Sequence, residues 1–167
     1  MNTAPATQET KGPALGGKYL TFALGNEEYG LQILKVREII GQMEITAVPQ
    51  TPACVKGVIN LRGQVIAVID LRAKFGMDTV AKTEETCVIV VETSRRGGGK
   101  MSTGLMVDRV SEVLSIPSEA IEPAPSFDGT VDTDFILGMG KIGTSVKILL
   151  DIDRVLSREE TPERLVA

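Results

Sequence analysis

The chain has 167 residues, a formal net charge of -4, 43% hydrophobic and 4% aromatic residues, and neither Trp nor His. That length suits one domain or two small subdomains, and the packing falls to Val, Ile and Leu, which leans toward β structure. The acidic balance excludes the concentrated basic face of a nucleic-acid binder, and the missing His removes the commonest general base and metal ligand.

Residues 1–17 are polar and Pro/Gly-spotted, with no apolar core of a secretory signal, and are expected to form a disordered tail. No apolar run approaches the roughly 20 residues that span a bilayer, so a soluble chain is expected. Cys54 and Cys87 are isolated in apolar settings, which favours buried thiols over a disulfide or metal pair and a reducing cytoplasm as the compartment.

Tyr19–Leu24 reads as a strand, Gly25–Glu28 as a turn and Tyr29–Leu31 as the return of a hairpin. Ile33, Val36 and Ile40 are spaced three and four apart, which predicts about one helical turn ending at Gly41, with Lys35, Arg37 and Glu38 facing solvent. Ile45–Pro49 is a short strand stopped by proline, and Gln50–Ala53 is a connector.

Gly57–Gly76 is the organising stretch. Val65–Ile69 is apolar without alternation, as expected of a strand covered on both faces. Asn60-Leu61-Arg62-Gly63 before it has the composition of a tight turn, from which Arg62 is presented rigidly. Asp70 is expected to cap a short helix Leu71–Phe75 that Gly76 closes. A catalytic role for Asp70 is disfavoured, because no second acid or base lies near it.

Thr83–Thr86 is a polar connector into the buried strand Cys87–Val91, and Thr93–Ser102 is expected to be a mobile hairpin loop. Its glycines lack phosphate-loop spacing and a helix behind them. Gly104–Val107 and Val110–Ile116 are strands, and 117–129 a long irregular connection. Residues 135–143 lead through a turn to the strand Val146–Leu150, and Asp151 caps a terminal helix with Ile152, Val155 and Leu156 as its apolar stripe. About nine or ten short strands at regular spacing predict an all-β barrel arrangement with minor α content, and Thr83–Thr86 a boundary between halves.

Neither a nucleophile with its base, nor a metal cluster, nor a cofactor loop is legible, so the sequence points away from catalysis and cofactors and toward binding. The run G-V-x-N-L-R-G-x-V-x-x-V-x-D-L-R from Gly57 to Arg72 resembles the signature of the CheW family of chemotaxis coupling proteins. Tyr19–Phe22, Glu28–Gly30, Val36–Ile39, Gly104–Leu114 and Leu149–Asp153 resemble the family's other segments in order, so the likeness covers roughly Lys18 to Leu156. Ala67 departs from it, standing where the family usually has proline.

The resemblance implies two small five-stranded SH3-like barrels side by side. The first is residues 18–83 plus 145–157, the second 84–144, followed by a C-terminal tail over 158–167. It implies a non-enzymatic adaptor between chemoreceptor cytoplasmic tips and the histidine kinase CheA, cytoplasmic and recruited to receptor arrays. Receptor contacts would fall to Ile33, Val36, Glu38, Gly57, Arg62 and Gly63, with the two glycines holding the turn that carries Arg62. Kinase contacts, through a regulatory domain that itself resembles CheW, would fall to Val107, Val113 and Gly138. The alternative is a β-barrel that binds a small ligand or peptide outside chemotaxis. A CheV-type protein would carry a receiver domain after the barrels, and the chain ends before one.

Overall fold

The computed structural model describes residues 15–41, 43–94, 98–124 and 135–156. The strands are β1 (Gly17–Leu24), β2 (Glu27–Gln32), β3 (Val36–Ile40), β4 (Val55–Leu61), β5 (Gln64–Asp70), β6 (Cys87–Ser94), β7 (Lys100–Val107), β8 (Arg109–Ile116), β9 (Ile121–Glu122), β10 (Ile136–Ile142) and β11 (Ser145–Leu150). Two short helices, α1 (Leu71–Lys74) and α2 (Ile152–Leu156), and the 3₁₀ turns Ile33–Lys35 and Ser118–Ala120 complete the described chain. The fold is all-β with minor helix, as the β-branched composition predicts.

The strands form two sheets. One has the order β8-β1-β2-β11-β10-β9, the other β3-β6-β7-β5-β4. Residues 36–107 therefore supply one sheet, and the segments before and after supply the other. The sheets divide near residues 32–36 and 107–109, not at the 83/84 boundary expected from the polar connector. The reason is long-range: β1 pairs antiparallel with β8, and β11 runs parallel to β2, pairings that local polarity does not encode.

Three buried clusters form among the described residues. Alternating residues of the same strands serve different clusters, which is why β5, β6 and β7 read as continuous apolar runs. Val68, Val88, Val90 and Met106 face a cluster with Ile59 and Ile66 inside the five-stranded sheet. Ile69, Ile89, Val91, Leu105 and Val107 face a larger cluster that they share with Leu20, Phe22, Leu24 and Leu31 of the other sheet. Tyr19, Ile116 and Leu149 form the third. Phe22, Tyr29, Phe75 and Phe135 line up in a row with ring centroids 5.8, 5.9 and 5.3 Å apart, the outer two pairs stacked and the middle one tilted.

Several local expectations hold. Asp70 caps α1, its carboxylate accepting from the Arg72 N–H at 3.0 Å, and Gly76 (φ 75°) follows the helix. Ile152, Val155 and Leu156 are all buried. Others are corrected. Most of the segment predicted as a helical turn from Ile33 is strand β3, with only Ile33–Lys35 in a 3₁₀ turn. A register shift between Val36 and Glu38 against β6 breaks the twofold alternation and mimics helical spacing. Ile45–Pro49 makes only an isolated antiparallel bridge, Thr46 to Val58. Val65 is 68% exposed, because β5 starts beyond the cover of either cluster. The segment expected to be a loop over 93–102 is strand up to Ser94 and again from Lys100, and residues 95–97 lie outside the described residues. The expected tails lie almost wholly outside them too.

Candidate functional site

β4 and β5 form a hairpin whose two central residues, Arg62 (φ 52°) and Gly63 (φ 88°), both have positive φ, the requirement of a type I′ turn. The Gly63 N–H donates to Asn60 Oδ1 at 2.8 Å, so the asparagine stabilises the turn from the strand side and leaves the left-handed position to arginine. A left-handed arginine costs about 1–2 kcal/mol, and such strain at a non-glycine residue clusters at functional sites.

The Arg62 guanidinium donates to Glu38 Oε2 of β3, and the two side chains are 70% and 28% exposed. β3 and β4 are the two outer strands of their sheet, so contact between Glu38 and the β4–β5 turn requires the sheet to curl until its ends approach. The chain after β3 completes that closure. Thr46 and Val58 exchange backbone hydrogen bonds of 2.9 Å in both directions. On β3, Glu38 and Ile40 pair with Val90 and Val88, which face the enclosed cluster. Glu38 thus stands at the rim of a small barrel, with Arg62 reaching across to it from the opposite lip.

Of the other expected receptor contacts, Ile33 and Val36 are half-buried and pack against the cluster shared by the sheets. Ile33 also lines a cleft of about 220 Å³ with Leu15, Tyr19, Gln32 and Leu34. Gly63 belongs to the turn, but Gly57 does not hold it. At φ 149° Gly57 lies against the barrel closure, and a Cβ there would meet the Thr46 carbonyl oxygen at 2.2 Å. Its glycine is required by the Thr46–Val58 bridge.

The expected kinase contacts scatter. Val107 is 2% exposed and belongs to the shared core, so it offers nothing to a partner. An apolar residue of a strand covered on both faces has the same sequence signature as a contact residue. Gly138 is buried on β10, where a Cβ would meet Ile121 Cγ2 at 2.7 Å and the Glu122 carbonyl at 3.0 Å. Val113, on the outer strand β8, is 49% exposed.

Leu34, absent from the expected contacts, is 94% exposed on the 3₁₀ turn between β2 and β3. Its neighbours Ile33 and Val36 follow an apolar spacing and Leu34 does not, so an exposed apolar residue outside the pattern left no trace. Two further charge clusters were also unseen. Arg72 grips Asp108 through Nε–Oδ1 (2.8 Å) and Nη2–Oδ2 (2.6 Å), and Asp108 Oδ2 accepts the Gly25 N–H at 2.8 Å. The Arg72 guanidinium, followed by the Gly25 N–H against some burial, holds the Asp108 carboxyl below the usual carboxylate range. Glu28 accepts from Lys147 (2.8 Å) and Ser111 (3.0 Å), and the Lys147 contact likewise lowers its carboxyl. Among the described residues no group of three or more Cys, Asp or Glu is arranged to hold a metal ion, and no helix is long and apolar enough to cross a membrane. The arrangement can bind and orient a partner.

A family model described as CheW-like domain matches residues 18–160. The chain is similar to the chemotaxis protein CheW of Klebsiella aerogenes, 46% identical over 149 residues covering 89% of this chain and 87% of that one. It is similar to the probable chemotaxis protein CheW of Rhizobium etli, 34% identical over 142 residues covering 85% and 88%. Its fold matches the crystal structure of the scaffolding protein TtCheW from Thermoanaerobacter tengcongensis with a TM-score of 0.76 at 36% identity, covering 88% of this chain and 97% of that one.

Proposed function

We propose, on the footing that the chain belongs to the CheW-like domain family, that it couples the cytoplasmic tips of chemoreceptors to the histidine kinase CheA within receptor arrays. It is a scaffold protein of chemotaxis and not an enzyme. The observation that carries the coupling role is the Arg62–Glu38 pair, two charges from distant segments held at the lip of a closed barrel on a strained turn.

A receptor tip is a helical hairpin, and an adaptor for it needs apolar anchors beside polar groups that fix register. Ile33 and Val36 supply partly exposed apolar surface, and Glu38, Arg62 and Gly63 the polar lip. Gly57 contributes indirectly, by allowing the barrel to close. For the kinase, Val113 on β8 is the accessible member of the expected set, with Gly138 shaping the β9–β10 packing. Signal would pass as a shift between arrangements of receptor and kinase, to which the adaptor contributes differential contacts.

The test is reconstitution of CheA with a receptor cytoplasmic fragment, reading kinase activity with and without this chain. Receptor-dependent control that appears only when the chain is added supports the reading. Identical kinase activity in both reactions, with no binding to either protein, contradicts it and leaves the ligand-binding barrel in its place.

A further inference from the structure

The 3₁₀ turn that carries Leu34 is held from outside its own strand. Lys35, the next residue, donates from Nζ to Asp153 Oδ2 at 2.6 Å, with side-chain exposures of 33% and 37%. The other oxygen of the same carboxylate, Oδ1, accepts the backbone N–H of Ser94 at 3.2 Å. Asp153 lies in α2, whose Ile152, Val155 and Leu156 are all buried in the core shared by the two sheets. One carboxylate on a core-anchored helix therefore ties down two segments far away in sequence: the turn between β2 and β3 and the end of β6.

The turn needs such a hold. It is three residues long, no side chain caps it, and its own closure is the Val36 N–H to the Ile33 carbonyl. Ile33 is half-buried and Leu34 is 94% exposed, so packing fixes one side chain, and between the sheet-paired residues Gln32 and Val36 the Lys35 ion pair adds a tether beside the other. An exposed leucine binds well only if its backbone is already ordered, because ordering it on binding subtracts from affinity.

We propose that Asp153 is a positioning residue for partner docking: by gripping Lys35 and the Ser94 N–H together, it fixes the turn that presents Leu34 beside Ile33 and Val36. The inference deepens the adaptor reading and rests on it for the identity of the partner, a receptor helix that would meet Leu34. Asp153 itself touches the turn and not the partner.

The experiment compares Asp153→Asn, which keeps an oxygen for the Ser94 N–H but loses the charge, Lys35→Met, which keeps the apolar stem, and the exchanged pair Lys35→Glu with Asp153→Lys. Each full-length variant is measured for affinity to a chemoreceptor cytoplasmic fragment, affinity to the CheA regulatory domain and melting temperature. Exchange of the Val36 amide is followed without any partner. The expected result is roughly a three- to tenfold loss of receptor affinity in each single variant, partial recovery in the exchanged pair, faster Val36 exchange in the singles, and unchanged kinase affinity and melting. Unchanged Val36 exchange, or losses to both partners that track a lowered melting temperature, would overturn the proposal. If the wild-type protein fails to bind the receptor fragment, the adaptor reading falls, whereas the exchange measurement still decides whether Asp153 holds the turn.

Discussion

Arg62 and Arg72 stand at opposite ends of β5 and are used in opposite ways. Arg62 projects from a strained turn, is 70% exposed, and meets one carboxylate across a barrel lip. Arg72 is 15% exposed, grips Asp108 with two parallel bonds, and donates to the Asp78 carbonyl at 2.9 Å. Asp108 in turn accepts from Gly25 in the β1–β2 turn, so Arg72 links the two sheets, whereas Arg62 bridges two edges of one. Exposed ion pairs contribute about 0.2–1 kcal/mol, and a bidentate, half-buried pair contributes more. The lesson is that two arginines of one motif divide the work: one holds the molecule together and the other is held out from it.

The strand that separates them is the first place to break the comparison. Val68 is 0% exposed inside the enclosed cluster. Val68→Asp is expected to destabilise by about 4 kcal/mol or more, because it buries a charge with no partner, and loss of cooperative thermal unfolding would register it. Both arginines should then lose their function together.

Gly57→Ala attacks the frame around Arg62 alone. The added Cβ meets the Thr46 carbonyl at 2.2 Å and takes a backbone angle that side chains rarely adopt. A cost of about 2–3 kcal/mol is expected, read as a shifted denaturant midpoint, with faster amide exchange at Thr46 and Val58 before the six-stranded sheet is affected.

Arg72→Met is expected to cost about 1–2 kcal/mol by leaving the Asp108 carboxylate half-buried without its guanidinium, a fall of some 2–4 °C in melting temperature per kcal/mol. The pH dependence sharpens this. The Asp108 carboxyl is lowered in the folded protein, so its contribution is fully present above the unfolded carboxylate value of about 3.9 and disappears as pH falls through the folded value below that. The stability gap between wild type and Arg72→Met should therefore be constant near neutrality and shrink below about pH 4. A gap that persists unchanged in acid would show that the pair is not its source.

How much of this division was legible follows the range of each interaction. The turn at Arg62 and the cap at Asp70 were readable because their causes sit within three residues: Asn60 bonding Gly63, and Asp70 bonding Arg72. The pairing of Arg62 with Glu38, and of Arg72 with Asp108, joins residues that no local pattern connects. β3 was misread because its bulge shifts the phase of alternation between Val36 and Glu38. Val107 was misread because burial on both faces of β7 and exposure to a partner select the same residue types.

The smallest expected effect on stability falls at Arg62, where binding and folding separate most cleanly. Arg62→Glu should leave the melting temperature within the change that about 1 kcal/mol produces. The decisive measurement is receptor-dependent CheA activity with Arg62→Glu, taken alongside its melting curve and compared with Arg72→Met. Arg62→Glu should lose coupling at nearly wild-type stability. Arg72→Met should show lowered stability with coupling retained while the protein is folded. Full coupling by Arg62→Glu, or a loss of coupling matched by unfolding, would contradict that division of roles.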